Sequence, residues 1–126
     1  MKLHADLRQL PFLVTACGDD HVAIDGRRFE RSLLLSPAGI DAAWGPADFV
    51  GLDARHLAAL AALDCDVLLL GTGRRQCFPP PALLQPFIAA GLPVEAMSTV
   101  AACRTYNVLR AEGRAVVAAL IVEPAP

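Results

Sequence analysis

The sequence predicts an α/β domain of three layers: a mixed central β-sheet, flanking helices and an added N-terminal β-hairpin. Three observations carry this. The apolar run DVLLLG (66–71) lacks polar alternation, as a strand buried on both faces does. A helical segment and a second short strand, PVEAM (93–97), follow it, making one βαβ unit with a right-handed crossover. The first third reads instead as β, punctuated by Gly18-Asp19-Asp20 and Asp25-Gly26.

The elements follow in order. FLVTAC (12–17) is a strand leading into the turn cluster Gly18-Asp19-Asp20, and HVAID (21–25) follows, ending at Asp25-Gly26, a strong hairpin signal because both residues tolerate positive φ. RFERSLLLS (28–36) reads as a third strand, stopped by Ser36-Pro37-Ala38-Gly39. Trp44-Gly45-Pro46 lies in a connecting stretch, with Trp44 as a packing anchor. Asp53 caps a helix over residues 54–63, whose Leu57, Leu60 and Ala61 share one face. PALLQPFIAAG (81–91) is a helix with Pro81 in its first turn and Gly91 as its stop. Pro86 inside it predicts a kink or a late start. Ser98 caps a helix over about 99–112, Gly113 ends it, and RAVVAALIV (114–122) is the last strand.

Composition narrows the class. The chain has 126 residues, 55% hydrophobic and 19% charged, which suits a single core-rich domain over 1–126. A net charge of −2 gives no electrostatic footprint for nucleic acid. Apolar runs such as AVVAALIV (115–122) fall short of the ~20 residues of a membrane span. Asp6 and Arg8 interrupt the N-terminal apolar stretch and argue against a signal peptide. Cys17, Cys65, Cys77 and Cys103 form no CxxC pair, and His4, His21 and His56 are scattered. No metal or cofactor site is therefore expected. The cysteines read as reduced thiols packed as small hydrophobes in a cytoplasmic protein.

The stretch MSTVAACRTYNVLRAEGR (97–114) raises the functional question. By angle, Ala101, Ala102, Thr105, Tyr106, Val108 and Leu109 form one side of the helix. Cys103, Arg104, Asn107 and Arg110 share the other with Val100. On that reading the polar side faces solvent. The helix start, however, belongs where ligands bind in parallel sheets, beyond the carboxyl ends of the strands.

Two loops are expected to meet there. GTGRRQCF (71–78) offers Gly71, Thr72 and Gly73, whose backbone N–H groups can approach a ligand closely, and Arg74 and Arg75, which can hold carboxylate or phosphate. Ser98 and Thr99 add hydroxyls and the free N–H groups of a helix start. The pattern is neither a Walker A loop nor GxGxxG. Cys77 would be a nucleophile if the arginines lowered its pKa, but no histidine is near it in sequence. Glu95, mid-strand among apolar residues, would be a buried acid or base, oriented by Arg104, or a structural ion-pair partner.

LLLGTGRRQCFPPP (68–81) and GLPVEAMSTVAACRTYNVLRAEGRAVVAALI (91–121) together resemble the Mth-domain family. That family is of unknown function, and includes the adipogenesis-associated Mth-domain-containing protein and a mitochondrial assembly factor of respiratory complex I. The resemblance implies the same α/β domain and, from its mitochondrial members, a protein-binding role. It maps the family's motif positions onto Gly71, Thr72, Gly73, Glu95, Met97, Thr99, Arg104, Thr105, Asn107 and Arg114. Ser98 stands where the family commonly has Asp, which counts against a shared acid catalyst.

Two functions compete. The first is a non-catalytic, assembly-factor-like protein that binds an unidentified protein partner. The alternative is a small enzyme or sensor for an anionic metabolite, using Arg74 and Arg75 for the anion and Glu95 as acid or base. The sequence fixes neither the stoichiometry nor the partner.

Overall fold

The computed structural model describes residues 10–125. His4 and the remainder of residues 1–9, on which the signal-peptide reading rests, and Pro126 lie outside the described residues.

Among the described residues, eight strands and three α-helices run in the order β1 (Val14–Gly18), β2 (His21–Ile24), β3 (Arg27–Phe29), β4 (Leu33–Ser36), β5 (Gly39–Asp41), α1 (Ala54–Leu57), β6 (Val67–Gly71), α2 (Pro81–Ala90), β7 (Val94–Met97), α3 (Thr99–Ala111) and β8 (Val116–Leu120). The central sheet has the order β5-β4-β8-β6-β7. β6 pairs parallel with both β7 and β8, while β4 is antiparallel to β8 and to β5. The sheet is therefore mixed, as expected. β1-β2-β3 form a separate antiparallel sheet, one strand larger than the expected hairpin.

The unbroken apolar runs have the predicted cause. Leu69, Val67, Val116, Ala118 and Leu120 project to one face, where they meet Ala102, Cys103 and Tyr106 of α3 and Val22 and Ile24 of β2. Leu68, Leu70, Val117, Ala119 and Ile121 project to the other, against Phe87 of α2 and Leu52, Leu57 and Leu60. Period-two alternation sends each neighbour to an opposite core, so both faces must be apolar. From β6 the chain steps outward to β7 through α2, then back past β6 to β8 through α3. Right-handed crossovers in opposite directions put the two helices on opposite faces.

Three elements differ from their sequence reading. RFERSLLLS is not one strand but β3 and β4, in different sheets. The break falls at Ser32, which is buried; its Oγ donates to the Pro46 carbonyl (2.6 Å) and accepts from Val122 N–H (3.0 Å). Ser36-Pro37-Ala38-Gly39 does not merely stop a strand but turns the chain into β5. The helix expected over 54–63 shortens to α1 plus a 3-10 turn at Leu60–Ala62. Its cap is as predicted: Asp53 accepts from the helix backbone, and His56 Nδ1 accepts from Asp53 N–H (3.0 Å). α2 runs through Pro86 without a break, the proline lying on the exposed side. Trp44 anchors as expected, its indole N–H on the His56 carbonyl (2.7 Å).

The face of α3 is also corrected. Cys103 and Arg110 are buried, whereas Val108 is 55% exposed. The buried line is Thr99, Ala102, Cys103, Tyr106 and Arg110, spaced at three and four residues as an inward helical stripe is. Arg110 turns inward because it has acceptors there: Nη1 donates to the carbonyls of Pro11 (2.9 Å) and Phe12 (3.2 Å) and to the Tyr106 hydroxyl (3.0 Å). It ties the chain entering β1 to the helix.

Burial raises the Tyr106 pKa above its ordinary value of 10, with Arg110 pulling it back. The folded state thus holds this proton more tightly than the unfolded chain. Its contribution to stability is complete below pH 10 and is lost as pH rises beyond it. Tyr106 is the sole tyrosine, so tyrosinate absorbance reads it alone. We expect the absorbance to appear only together with unfolding; tyrosinate forming near pH 10 in the intact fold would refute this. Arg110→Met should cost about 2–3 kcal/mol in urea unfolding, through carbonyls left without donors.

Candidate functional site

The two loops expected to meet do meet, at the carboxyl ends of β6 and β7, and the segment after β8 joins them. Thr99, at the start of α3, holds the three together. Its hydroxyl accepts from Gly73 N–H (2.9 Å) and donates to the Ile121 carbonyl (2.7 Å), while its own N–H donates to the Gly73 carbonyl (2.9 Å). Thr72 is buried beside it, accepting at Oγ1 from Cys77 N–H (3.1 Å), with the Met97 and Arg75 carbonyls as acceptors for its proton. Ser98 Oγ accepts from Ala101 N–H (3.3 Å). The backbone N–H groups of Thr72, Gly73 and Thr99 and the Thr99 hydroxyl are engaged with the protein itself.

Gly71 and Gly73 permit close approach within the protein. A Cβ on Gly71 would lie 2.9 Å from Thr99 Oγ1 and 3.0 Å from Thr99 Cα. Gly73 has φ +102°, and a Cβ there would lie 2.7 Å from a Glu123 carboxylate oxygen. That carboxylate accepts from Arg74 N–H (2.8 Å), and Arg74 Nη2 donates to the Pro124 carbonyl (2.6 Å). Arg74 is thereby committed to the segment after β8. The cavity left among Asp19, Gly73, Arg74, Thr99 and Val100 measures about 10 Å³, room for one water at most. An aspartate on its rim opposes an anion electrostatically.

The remaining expected residues do not converge on it. Arg75 and Arg104 are exposed, and Cys77 is half-buried. Glu95 is exposed on β7, not the buried carboxylate its apolar neighbours suggested. The physical reason is that, among the described residues, β7 is the sheet's outer strand, with one flank open. Sequence reasoning also missed Glu123. The signal was available, because β8 ends at the same edge as β6 and β7, so its following loop belongs to the same cluster.

The open flank of β7 is the second notable feature. The carbonyls of Pro93 and Met97 accept from β6 and the residue after it, Leu68 N–H (2.9 Å) and Thr72 N–H (2.8 Å). By alternation the backbone groups of Val94 and Ala96 point outward. Gln76 Nε2 donates to the Ala96 carbonyl (3.1 Å), covering one of them. Beside the strand, Leu84, Phe87, Ile88, Leu92 and Val94 line an apolar groove of about 280 Å³. Ile88 is 68% exposed on α2, and Phe78, in the loop leading to α2, is 77% exposed. Among the described residues no group of three or more His, Cys, Asp or Glu could hold a metal ion, and no helix is long and apolar enough to cross a membrane.

A three-layer mixed α/β fold, sealed at its parallel strand ends by its own loops, is the class these observations define. The chain belongs to the family of proteins of unknown function DUF498/DUF598, whose model matches residues 14–121. A Bordetella parapertussis crystal structure is similar with a TM-score of 0.83 at 41% identity, over 91% of this chain and 98% of that one. A Bordetella pertussis NMR structure described as a Mth938-like domain has a TM-score of 0.77 at 36% identity, over 98% and 94%. The Mth-domain resemblance is thus supported in sequence and in fold. The 13 kDa major membrane protein of Francisella tularensis is 34% identical over 67 residues, 53% of this chain and 54% of that protein. A Rhodobacter capsulatus protein of uncharacterised function is 47% identical over 70 residues, 54% and 56%. The chain spans about half the length of these curated relatives.

If closeness is the glycines' role, Gly71→Ala should destabilise the fold by about 1–3 kcal/mol, read from the urea midpoint. A neutral effect would mean that the Thr99 contact yields easily and that the loop is open after all.

Proposed function

We propose that this chain is a non-catalytic protein-binding module that takes an extended segment of a partner along the outer flank of β7. The observation that carries this is the open edge of β7 lying beside an apolar groove. Strand addition uses main-chain hydrogen bonds for affinity and neighbouring pockets for specificity. Val94 and Ala96 supply the first, and the groove of Leu84, Phe87 and Ile88 supplies the second. The role agrees with the assembly-factor resemblance. The alternative, a binder or enzyme for a small anion, keeps the exposed Arg75 and Arg104 in its favour, against a cavity of about 10 Å³.

Ala96→Pro removes an outward N–H while leaving the β6 ladder intact, which an edge strand tolerates. Ile88→Glu charges the groove at an exposed position. Wild type immobilised in gently lysed cells of its own source should retain a protein that both variants lose, with melting temperatures unchanged. Retention of the same proteins by all three, or of none by wild type, would end the proposal. The anion alternative is read from thermal shifts with phosphates, nucleotides and carboxylates. It requires a stabilisation of about 2.7 kcal/mol at 100 times the dissociation constant that Arg75→Ala abolishes.

A further inference from the structure

Cys17 and Cys103 are far apart in the chain but adjacent in the fold. Cys103 is 1% exposed on the inward stripe of α3. Cys17 lies half-buried on β1, the outer strand of the N-terminal sheet, and packs against the same core cluster. Asn107 of α3 bonds Val14 of β1, and Gly18 at the end of β1 lines a small cavity with Thr99 and Val100 at the start of α3, which places Cys17 beside Cys103 between these two contacts. One turn further along α3, Asn107 grips β1 from both sides of its amide. Its Oδ1 accepts from Val14 N–H (3.0 Å) and its Nδ2 donates to the Val14 carbonyl (2.8 Å). Strand and helix are thus held together on either side of the two cysteines. The other two thiols are placed elsewhere: Cys65 packs against the core on the opposite face of the central sheet, and Cys77 is in the loop after β6.

We propose that Cys17 and Cys103 form a redox modification site, which hydrogen peroxide closes to a disulfide bolting the N-terminal sheet to α3. Cys17 is the sulfur that an oxidant reaches first, because it is the more exposed. Burial, and then the neighbouring Cys17, push the Cys103 thiol well above its ordinary range, so it holds its proton until a partner is ready. In the first step the Cys17 thiolate attacks a peroxide oxygen, the O–O bond breaks, and hydroxide leaves. Cys17 is then a sulfenic acid. In the second step the Cys103 sulfur attacks the Cys17 sulfur, the S–O bond breaks, and the Cys103 proton leaves with the hydroxide as water. The two sulfurs together lose two electrons, and one peroxide becomes two waters. An added thiol reverses the bond by exchange.

The test uses the whole chain, reduced and then treated with hydrogen peroxide. After denaturation and alkylation, intact mass counts the remaining thiols, and peptide mapping locates the bond. Wild type should lose two alkylation sites of four, with Cys17 and Cys103 peptides linked, and its melting temperature should rise by about 5–15 °C until a reductant is added. Cys17→Ser should keep all three of its thiols. Cys103→Ala should leave a Cys17 sulfenic acid that a dimedone probe captures. Cys17→Ser, at the half-buried position, serves as the deciding variant if the core substitution fails to fold. Four free thiols in peroxide-treated wild type, a bond to Cys65 or Cys77, or covalent dimers would each overturn the proposal.

Discussion

The Thr99 hydroxyl is the point on which the arrangement of this protein turns. One oxygen receives an N–H from the loop after β6 and delivers a proton to the backbone after β8. It sits on the first residue of the helix that leaves β7. Three parallel strands therefore end at one side chain, in a place where each has a loop full of unpaired backbone groups. Buried backbone groups left without partners are costly, so a polar knot at the strand ends is what allows the strands themselves to be wholly apolar. Glycine is needed at 71 because the knot has to be drawn tight against the strand.

The same residues that fold the knot also carried the expectation of a ligand cradle. Glycine, threonine and a helix start beyond a parallel strand describe a ligand cradle and a self-sealed junction equally well. Both need backbone groups at close quarters; they differ only in whether a side chain fills the space. Here Thr99 and Glu123 fill it. The Glu123 carboxylate lies beside Arg74, accepting its backbone N–H and pairing with its guanidinium. No spacing rule within GTGRRQCF contains a residue some fifty positions later.

Much of the fold was legible because it follows from local constraints. The doubly buried run at 66–71, the capping of α3 by Ser98 and the Gly91 stop are each fixed by a few neighbours. What escaped were features set by distant partners. The strand expected over 28–36 splits because Ser32 must reach Pro46 and Val122. Arg110 faces inward because the chain entering β1 arrives with carbonyls for it, and Cys103 because it packs in the core cluster between α3 and the sheets. An angular plot of α3 alone sees an arginine and assigns it to water. Of the candidate site, the meeting of loops was foreseen, and their closure was not. Glu95 was taken for a buried acid because neighbours in sequence cannot reveal that β7 stands at the margin of its sheet.

That margin has a consequence for self-recognition. A bare edge invites a second copy of itself unless its side chains discourage this. Two copies paired antiparallel about the middle of β7 would bring Glu95 opposite Glu95, and like charges facing across a ladder repel. The Gln76 amide, resting on the Ala96 carbonyl by one hydrogen bond, adds a small toll that any newcomer must displace. A foreign strand carrying a cation opposite Glu95 would recover that toll, whereas a twin could not. In that register a second copy is a poorer match to this flank than a strand carrying a cation opposite Glu95.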